Sequence, residues 1–444
     1  DESWLDCRRF LPMRSSDRIL VLGAGPAGIG AGIALGDRAV VLDGCPHLGG
    51  LCRTIEFDGA AFDWGGHSFH TPHAAVRDLV FSSLEMYEQT RDARCHYQGE
   101  LIPYPFQKNF QQLRDTAVRQ ECASGLSKAT GGEGANNLEE YLCQRFGSGI
   151  ARHFLLPYNR KLWGPDLRQL AVDWVGERVA SPTGSGDRLT QQVGKRSPLQ
   201  QDSRVAYPAR GGFGEIMRAL ACRLHHLQLG QHVVHVNPLR RELATASGNV
   251  FHWNQIVSTL PLPRLLKAMS DVPASIVEAA NRLKAIPMAF VLVVIGHPVD
   301  TPIQRIYCAG PEAPAHKLVI NHNSSPYLRS LPQHGILAEV SLTSQDPARA
   351  DLELQVVRGL QVVGLIRSPG AVRSTRVLFV PAAYPVPTPD REAIVRRLRT
   401  WLASRGILSI GRFGEWAYIN SDEALYQGLR LGQALAEESP RQAG

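Results

Sequence analysis

A glycine-rich turn near the start of the chain has residue types and a spacing that suit phosphate binding. The turn is Gly23-Ala24-Gly25-Pro26-Ala27-Gly28, which follows a predicted apolar strand at residues 18–22 and opens a predicted helix. Gly23 permits the tight turn, Gly25 lets the backbone approach a pyrophosphate, and Gly28 lets the helix pack closely on the sheet. The helix N-terminus adds free N–H groups and a partial positive charge. The pattern predicts dinucleotide binding, although such a turn can also fit this spacing without a ligand.

An acidic residue and a second glycine pair indicate which dinucleotide is bound. Asp43 ends the second predicted strand, where its carboxylate can accept a hydrogen bond from a ribose hydroxyl. The next segment, 47–54, contains Gly50 and Arg53 and resembles the second glycine motif of flavin amine oxidases and their relatives, which lies against FAD. Residues 257–261 close a strand as the similar segment does in those proteins. Each piece alone could be a turn, but together they favour FAD over NAD.

Further motifs occur in order along almost the whole chain. They are Gly65-Gly66-His67-Ser68-Phe69, Tyr104-Pro105-Phe106-Gln107, Pro157-Tyr158-Asn159-Arg160-Lys161-Leu162-Trp163, Gly176-Glu177-Arg178-Val179, Pro208-Ala209-Arg210-Gly211-Gly212, Tyr384-Pro385 and Gly411-Arg412-Phe413-Gly414-Glu415-Trp416-Ala417-Tyr418. This set resembles the UDP-galactopyranose mutase family, most closely its eukaryotic-type branch. The resemblance extends over roughly residues 18–430. The second and the last of these motifs are specific to the family, whereas the glycine turn is shared widely.

The resemblance implies an activity and a cofactor. Mutases of this family interconvert the pyranose and furanose forms of a nucleoside-diphosphate sugar without net oxidation. The resemblance implies that FAD must be reduced, with NADH or NADPH as a candidate reductant, so that flavin N5 can attack the anomeric carbon and expel the nucleotide. Because the cofactor is the nucleophile, the protein needs none of its own. The expected enzyme is therefore an FAD-dependent isomerase, an intramolecular transferase.

The resemblance also assigns residues to the flavin side of the site. Arg178, Arg412 and His67 are implied to lie near the isoalloxazine and the sugar and to serve catalysis. The full set implied to contact FAD is Gly23, Gly25, Gly28, Asp43, Gly50, Arg53, Gly66, His67 and Arg412. Either arginine could instead belong to a structural ion pair, and a single histidine is often only a satisfied polar group.

A second set is implied to bind the nucleotide sugar. Tyr307, Tyr384 and Tyr418 would hold the diphosphate through their hydroxyls. The other members are Tyr104, Phe106 and Gln107 at the base, Asn159 and Trp163 at the ribose, and Arg178 near the sugar. The aromatic residues could equally be core packing.

The sequence departs from the family at the diphosphate. Alignment on residues 323–326 places Lys317 where the family has an arginine. A lysine can neutralise a phosphate but lacks the bidentate fork of a guanidinium. Lys317 is therefore a predicted substrate ligand with an altered contact, and the sequence leaves the sugar and the nucleotide open.

The pattern of elements predicts an α/β fold: a Rossmann-like FAD-binding domain with an inserted helical domain and an antiparallel β-sheet domain. The FAD-binding domain is expected to combine residues 17–73, 205–265 and 385–444. Residues 74–204 are expected to form the helical substrate domain, and residues 266–384 the sheet domain. A length of 444 residues suits such a division, since it exceeds what one core usually supports.

Composition and charge limit the kinds of partner and the cellular location that we expect for the protein. The net charge of +7 comes mainly from arginine and forms no basic block or aromatic-interleaved stripe, so we expect an anionic small molecule and no nucleic acid. The eight cysteines are scattered without a CxxC pair, which predicts reduced thiols, no metal site and a cytoplasmic protein. No apolar run approaches the roughly 20 residues of a membrane span, and residues 1–16 lack the apolar core of a signal peptide. The oligomeric state stays open, with a homodimer as one alternative.

Two other functions share the FAD motifs. An FAD-dependent oxidase or dehydrogenase of the amine-oxidase superfamily needs neither residues 104–107 nor the tyrosine set. A catalytically silent FAD-binding scaffold would need the dinucleotide motifs alone.

Overall fold

The computed structural model describes residues 18–175, 204–342 and 351–438. Arg178 and the rest of its motif lie outside the described residues. The strands are β1 (Ile19–Leu22), β2 (Ala39–Leu42), β3 (Thr54–Phe57), β4 (Ala60–Asp63), β5 (Met86–Thr90), β6 (Ala93–Tyr97), β7 (Glu100–Pro103), β8 (Arg204–Pro208), β9 (Leu227–Gln228), β10 (Val233–Asn237), β11 (Glu242–Thr245), β12 (Val250–His252), β13 (Gln255–Ser258), β14 (Ala285–Ile295), β15 (Arg305–Cys308), β16 (Lys317–Ile320), β17 (His334–Ser341), β18 (Val372–Pro385) and β19 (Ile407–Ser409).

The α-helices vary from single turns to a long helix near the end of the described chain. They are α1 (Pro26–Leu35), α2 (Ala74–Phe81), α3 (Phe106–Asn109), α4 (Thr116–Ser127), α5 (Leu138–Ile150), α6 (Leu156–Trp163), α7 (Gly214–Ala221), α8 (Leu262–Ala268), α9 (Ala274–Asn281), α10 (Pro326–Ser330), α11 (Leu352–Val362), α12 (Arg391–Ala403), α13 (Gly411–Gly414) and α14 (Ser421–Glu437).

A parallel five-stranded sheet carries the glycine turn. Its order is β19-β13-β1-β2-β9, so β1 lies in the centre. β1 and β2 are apolar and fully buried, as expected for parallel strands covered on both faces. Helix α1 packs so closely on α14 that a Cβ at Gly30 would lie 2.4 Å from the Leu425 carbonyl oxygen. Since only residues 23–25 separate the two elements, the N-terminus of α1 lies at the carboxyl end of β1.

A seven-stranded sheet forms the second layer, in the order β18-β14-β17-β16-β15-β6-β7. The pairs are antiparallel except for β6 with β15, which is parallel. Alternate residues of β15 face opposite sides, with Ile306 and Cys308 in an apolar core that includes α11. Arg305 and Tyr307 therefore lie on the other face, which is the face that matters for the site.

Helices α4 to α6 pack against the seven-stranded sheet in a shared core of aromatic and aliphatic side chains. Within the segment expected to be helical, α2 ends at Phe81 and the chain turns into β5. The hydroxyls of Ser82 and Ser83 both donate to the Leu79 carbonyl oxygen, and such local bonds compete with continued helix. Strands β6 and β7 of the large sheet also lie within the segment expected to be helical. The domain boundaries themselves stay predictions.

Two general properties concern the described residues as a whole. Among them, no helix is both long and apolar enough to cross a membrane. Cys45, Cys52, Cys95, Cys122, Cys143, Cys222 and Cys308 are free thiols.

Candidate active site

The glycine turn has the backbone geometry that its sequence predicted. Gly23 has a φ of +106°, in the left-handed region, and a Cβ at Gly28 would lie 1.8 Å from the Gly23 carbonyl oxygen. Gly25 is different, because its backbone is extended and no protein atom lies within 4 Å of its Cβ position. The Cβ position of Gly50 is 3.6 Å from the Gly25 Cα. Gly28 is thus required by packing, whereas Gly25 leaves open space beside a helix N-terminus.

Asp43 and the second glycine pair close around this turn. The two oxygens of Asp43 accept hydrogen bonds from the Ala24 N–H at 2.6 Å and the Cys45 N–H at 2.7 Å. The Gly49 N–H donates to the Ala24 carbonyl oxygen at 2.7 Å. The carboxylate predicted to meet a ribose therefore also fixes the turn.

Arg53 contributes a half-buried positive charge beside Cys45. Its guanidinium carbon lies 3.4 Å from the centre of the Trp64 ring, and Nη1 donates to the Cys45 sulfur at 3.3 Å. Its Nε is buried without a hydrogen-bond partner among the described residues. An orphaned cationic donor at this place suits a phosphate or a flavin carbonyl. Together with the open space at Gly25, it fits a bound dinucleotide.

The loop after β4 carries His67 into the space between the two sheets. The Gly66 N–H donates to Glu339 Oε1 at 2.8 Å, and the His67 ring stacks on Phe213 at 4.8 Å and 17°. Burial, reinforced by the nearby Arg305 charge, lowers the pKa of His67 to about 3. Its Nδ1 is buried and has no partner within the part of the chain that the structure describes. His67 is therefore a neutral imidazole with an unused nitrogen.

A buried carboxylate holds the ring on which His67 stacks. Asp63 accepts hydrogen bonds from the Thr54 hydroxyl at 2.6 Å, the Tyr207 hydroxyl at 2.7 Å and the Phe213 N–H at 2.9 Å. Burial raises the pKa of Asp63 to about 6, although these three donors act in the opposite direction. Asp63 thereby ties the loop before α7 to β3 and β4.

The face of β15, β16 and β17 that meets this loop carries charged residues; we call it the charged sheet face, defined by Arg305, Tyr307, Lys317 and Glu339. The register places Tyr307 opposite Lys317 and Lys317 opposite Glu339. The Lys317 ammonium lies 2.8 Å from Glu339 Oε2, and Glu339 is 1% exposed. Burial lowers the pKa of Lys317, but the Glu339 carboxylate outweighs burial and raises it above its ordinary value.

The pairing with Lys317 also determines the protonation state of the Glu339 carboxylate. Burial alone raises the pKa of Glu339, but the Lys317 charge and a hydrogen bond from His316 outweigh it and hold the pKa well below its usual range. Burial also lowers the pKa of His316. The charged sheet face therefore holds a lysinium–carboxylate pair beside neutral histidines.

Tyrosines surround this face. The rings of Tyr104 and Tyr307 stack at 4.4 Å, and Tyr158 meets Tyr307 edge-on at 5.9 Å. Burial raises the pKa of Tyr104 and of Tyr158 well above the ordinary value. Their hydroxyls thus stay protonated and can donate hydrogen bonds to an anion.

Trp163, Tyr384 and Tyr418 form a second aromatic group next to the tyrosines around the charged sheet face. Tyr384 and Tyr418 lie 5.1 Å apart, and the Trp163 ring is 6.0 Å and 5.7 Å from them, respectively. Burial raises the pKa of Tyr384, although the Lys317 charge acts in the opposite direction. The Nε1 of Trp163 is buried without a partner among the residues described.

Arg412 lies beside the rings of Tyr384 and Tyr418. Its Nε and Nη2 donate to the Ile419 carbonyl oxygen at 2.9 Å and 2.6 Å, and Nη1 donates to that of Ala383 at 3.4 Å. Its guanidinium carbon is 5.5 Å from the ring centres of both Tyr384 and Tyr418. These bonds fix the guanidinium without neutralising its charge.

The residues predicted at the base and ribose are mostly buried. Phe106 is fully buried and stacks on Phe154 at 4.7 Å and 9°, and Gln107 is 4% exposed. The side-chain amide of Asn159 donates to the Leu155 carbonyl oxygen at 2.8 Å. These contacts show core packing for Phe106, and the roles of all three with a nucleotide stay predictions.

Sequence reasoning did not single out three residues at the charged sheet face. Tyr158 lies inside a quoted motif, beside the predicted Asn159. Glu339 is an isolated carboxylate in the apolar run of β17, and Arg305 precedes Tyr307 by two positions, so it shares its face. A charged residue alternating with apolar ones in a strand was the signal that could have found Arg305 and Glu339.

Two other features carry none of the predicted residues. A cavity of about 580 Å³ is lined mainly by α12, β19 and the start of the segment after α13. Its arginines are already paired: Arg391 with Asp173, Arg396 with Glu392, and Arg399 with Glu415. In the described ranges, no group of three or more His, Cys, Asp or Glu side chains is arranged to hold a metal ion.

Comparison with known proteins bears on the fold. Residues 21–81 match the NAD(P)-binding Rossmann-like domain. The reduced UDP-galactopyranose mutase structure matches with a TM-score of 0.85 at 24% identity, over 96% of each chain. A provisionally assigned protoporphyrinogen oxidase from Exiguobacterium sp. 255-15 matches with a TM-score of 0.71 at 15% identity, over 96% of this chain and 100% of that one. Cyclohexylamine oxidase from Brevibacterium oxydans IH-35A gives 0.67 at 14% identity, over 95% and 99%.

These likenesses confirm the predicted fold class and the resemblance drawn from the motifs. The Rossmann-like match covers the glycine turn, Asp43 and the second glycine pair. The chain therefore shares the fold of UDP-galactopyranose mutase and of the structurally related oxidases, built on a Rossmann-like dinucleotide-binding domain.

Proposed function

We propose that the protein binds FAD and is a flavin-dependent mutase that interconverts the pyranose and furanose forms of a nucleoside-diphosphate sugar. The observation that carries the proposal is the juxtaposition of the charged sheet face, with the tyrosine rings around it, and the loop that brings His67 from the side of the glycine turn. When bound and reduced, the flavin supplies the nucleophile for the anomeric carbon. The protein supplies binding, orientation and electrostatics.

The residues around the glycine turn fit FAD. Open space at Gly25 faces the N-terminus of α1, where phosphates are favoured. Arg53 offers a buried, unpaired Nε, and Asp43 is fixed at the end of β2. Gly50 and Gly66 lie where the chain passes close to other backbone or sheet atoms. These features support the predicted contacts with a pyrophosphate, a ribose and a ring.

The aromatic and charged residues fit a nucleoside diphosphate. Neutral tyrosine hydroxyls donate to phosphate oxygens without adding charge, and Tyr307, Tyr384 and Tyr418 are the predicted donors. Lys317 adds a buried positive charge beside them. Tyr104 and Trp163 border the same group of rings, which supports their predicted places at the base and the ribose.

Three residues are proposed to serve the reacting centre. His67 stays neutral, so its unused nitrogen can exchange a hydrogen bond with a bound ring without adding charge. Arg412 is held by backbone carbonyls and can stabilise negative charge on a reduced cofactor. Arg178 is proposed from its motif alone.

The test uses the FAD-loaded protein with a panel of UDP-, GDP- and dTDP-hexopyranoses. We expect furanose product only after reduction by dithionite, NADH or NADPH, because N5 of an oxidised flavin is an electron-poor imine nitrogen and becomes a nucleophilic amine only on reduction. Full activity of the oxidised protein in air, without reductant, would contradict the proposal. So would a reduced protein that leaves the whole panel unchanged.

One alternative is favoured by a specific observation. The fold likeness to cyclohexylamine oxidase, with a TM-score of 0.67, supports an FAD-dependent oxidase or dehydrogenase as the second candidate. Such an enzyme would be bleached by its own substrate, whereas the proposed mutase would be bleached by NAD(P)H or dithionite and not by a nucleotide sugar. A silent scaffold would respond to neither kind of substrate.

A further inference from the structure

The charged sheet face and its surroundings have an excess of positive charge. Three cations, Arg305, Lys317 and Arg412, meet a single carboxylate, Glu339. Both oxygens of that carboxylate are in use, Oε1 by the Gly66 N–H and Oε2 by the Lys317 ammonium. Two further charged groups act on Arg305, the Asp63 carboxylate and the Arg91 guanidinium, and they offset each other. Because His67 is neutral, the balance among these groups leaves two positive charges without a compensating anion.

Arg305 is the most deeply placed of the uncompensated cations. It is 8% exposed, and its Nη2 donates to the Ser68 hydroxyl at 3.1 Å. The Tyr307 side chain also shares a hydrogen bond with it. Within the described ranges, no carboxylate lies within 4.0 Å of its guanidinium nitrogens. Hydroxyl partners satisfy donors but leave the charge of a buried guanidinium uncompensated, which is costly unless an anion completes the site.

Arg305 and Lys317 converge on one point. A Cβ built on Gly66 would lie 3.3 Å from both the Arg305 Nε and the Lys317 Cε. Burial lowers the pKa of Arg305, and the nearby Arg91 charge acts in the same direction. A bound anion would relieve this repulsion. Of these two residues, Arg305 is the one with a planar fork that can grip a phosphate with two parallel hydrogen bonds.

We propose that Arg305 binds the diphosphate of the substrate and takes the role that sequence alignment assigned to Lys317. Lys317 then acts mainly as a fixed charge, because Glu339 holds its ammonium. The inference rests on the proposed nucleotide-sugar substrate for the identity of the anion. It explains how a chain with lysine at position 317 can still offer a guanidinium to phosphate.

The experiment measures binding of inorganic pyrophosphate and UDP to FAD-loaded protein by titration calorimetry, so that the cofactor already fills its own phosphate site. Arg305→Gln should raise both dissociation constants by roughly tenfold to a hundredfold, as expected for a lost charge-assisted contact. Arg305→Lys should lie in between. FAD content should not change. The control is Arg240→Gln, an exposed arginine in the turn between β10 and β11, which should bind as the unchanged protein does.

Each outcome decides the inference. Dissociation constants within about twofold of the unchanged protein in Arg305→Gln would overturn it, as would an unchanged protein that binds no pyrophosphate. If Arg305→Gln does not fold, Arg305→Lys decides: affinity equal to the unchanged protein overturns the inference. The proposed function fails separately. Arg305-dependent pyrophosphate binding without conversion of any sugar supports the inference and rejects the mutase. Sugar conversion with pyrophosphate binding that does not depend on Arg305 supports the mutase and rejects the inference.

Discussion

The glycine turn after β1 and the charged sheet face offer phosphate two different kinds of partner. The turn uses backbone N–H groups, a helix end and the absence of a side chain at Gly25. The charged sheet face uses buried side-chain charges, with Lys317 and Glu339 on neighbouring strands. One site is made by a single short segment, and the other needs three strands to be in register. Substitutions in the glycine turn should therefore weaken phosphate binding by steric blockage, and substitutions at the charged sheet face should weaken it by unbalancing the charges.

The largest expected effect comes from filling the open space in the turn. Gly25→Val should abolish FAD retention, because the new side chain meets no protein atom within 4 Å of its Cβ but occupies the place of a pyrophosphate. The measurement is the flavin absorbance of the purified protein. Gly370→Val is the control, since Gly370 is exposed and lies just before β18. A yellow, fully loaded Gly25→Val protein would reject the assignment.

A substitution at Gly28 distinguishes a glycine required by packing from one that faces the ligand. Gly28→Ala places a Cβ 1.8 Å from the Gly23 carbonyl oxygen, so the protein itself must shift. We expect a lower free energy of unfolding even without FAD, whereas Gly25→Val should unfold like the unchanged apoprotein. Equal stability of the two variants would remove the distinction between a packing glycine and a ligand-facing glycine.

The next largest effect concerns the buried ion pair. Glu339→Gln leaves the Lys317 charge unpaired and should lower the free energy of unfolding by about 3–5 kcal/mol, measured by denaturant titration of the FAD-loaded protein. Added pyrophosphate should restore part of this loss and should stabilise the variant more than the unchanged protein. The control is Glu392→Gln, which breaks the exposed pair with Arg396 and should cost less than about 1 kcal/mol. Equal losses in both variants would contradict the account.

The glycine turn was predictable because its requirements are local. The turn type, the close approach at Gly28 and the acidic end of β2 are written within one segment, and the structure has them in that order. Arg305 and Glu339 were not predictable as members of one site, because 34 positions separate them in the chain. Only the register of β15, β16 and β17 brings them to one face. The end of α2 at Phe81, inside the segment expected to be helical, has a smaller and local cause, the serine hydroxyls that bond to Leu79.

The Asp63 network, which supports both regions, predicts a dependence of stability on pH. Its folded pKa of about 6 lies above the ordinary 3.8, so the folded state holds the proton more tightly. Stability should therefore be highest below about pH 4 for this group and should fall by up to about 3 kcal/mol as pH rises through 6. Asp63→Asn should lack this fall, as measured by denaturant titration across the range. Parallel pH profiles for the two proteins would show that Asp63 does not titrate as described.

The smallest expected effect comes from changing Arg412, which lies beside Tyr384 and Tyr418. Arg412→Lys keeps the charge but loses hydrogen bonds to the Ile419 and Ala383 carbonyls, at about 0.5–1.5 kcal/mol each. We expect kcat to fall about twofold to tenfold and the flavin reduction potential to drop slightly, with UDP affinity unchanged. Arg412→Ala should do both more strongly. An Arg412→Ala protein that keeps its potential and turnover but loses UDP affinity would place Arg412 in the phosphate site.

The most direct test of the central claim is an electron count during turnover. The protein is reduced once with dithionite, without further reductant and without oxygen, and is given an excess of the nucleotide sugar that it converts best. The account predicts many furanose molecules formed per flavin, approach to a pyranose–furanose equilibrium from either side, and a flavin that stays reduced. Product limited to one molecule per flavin, or flavin reoxidised in proportion to product, would contradict a mutase and indicate a net redox reaction.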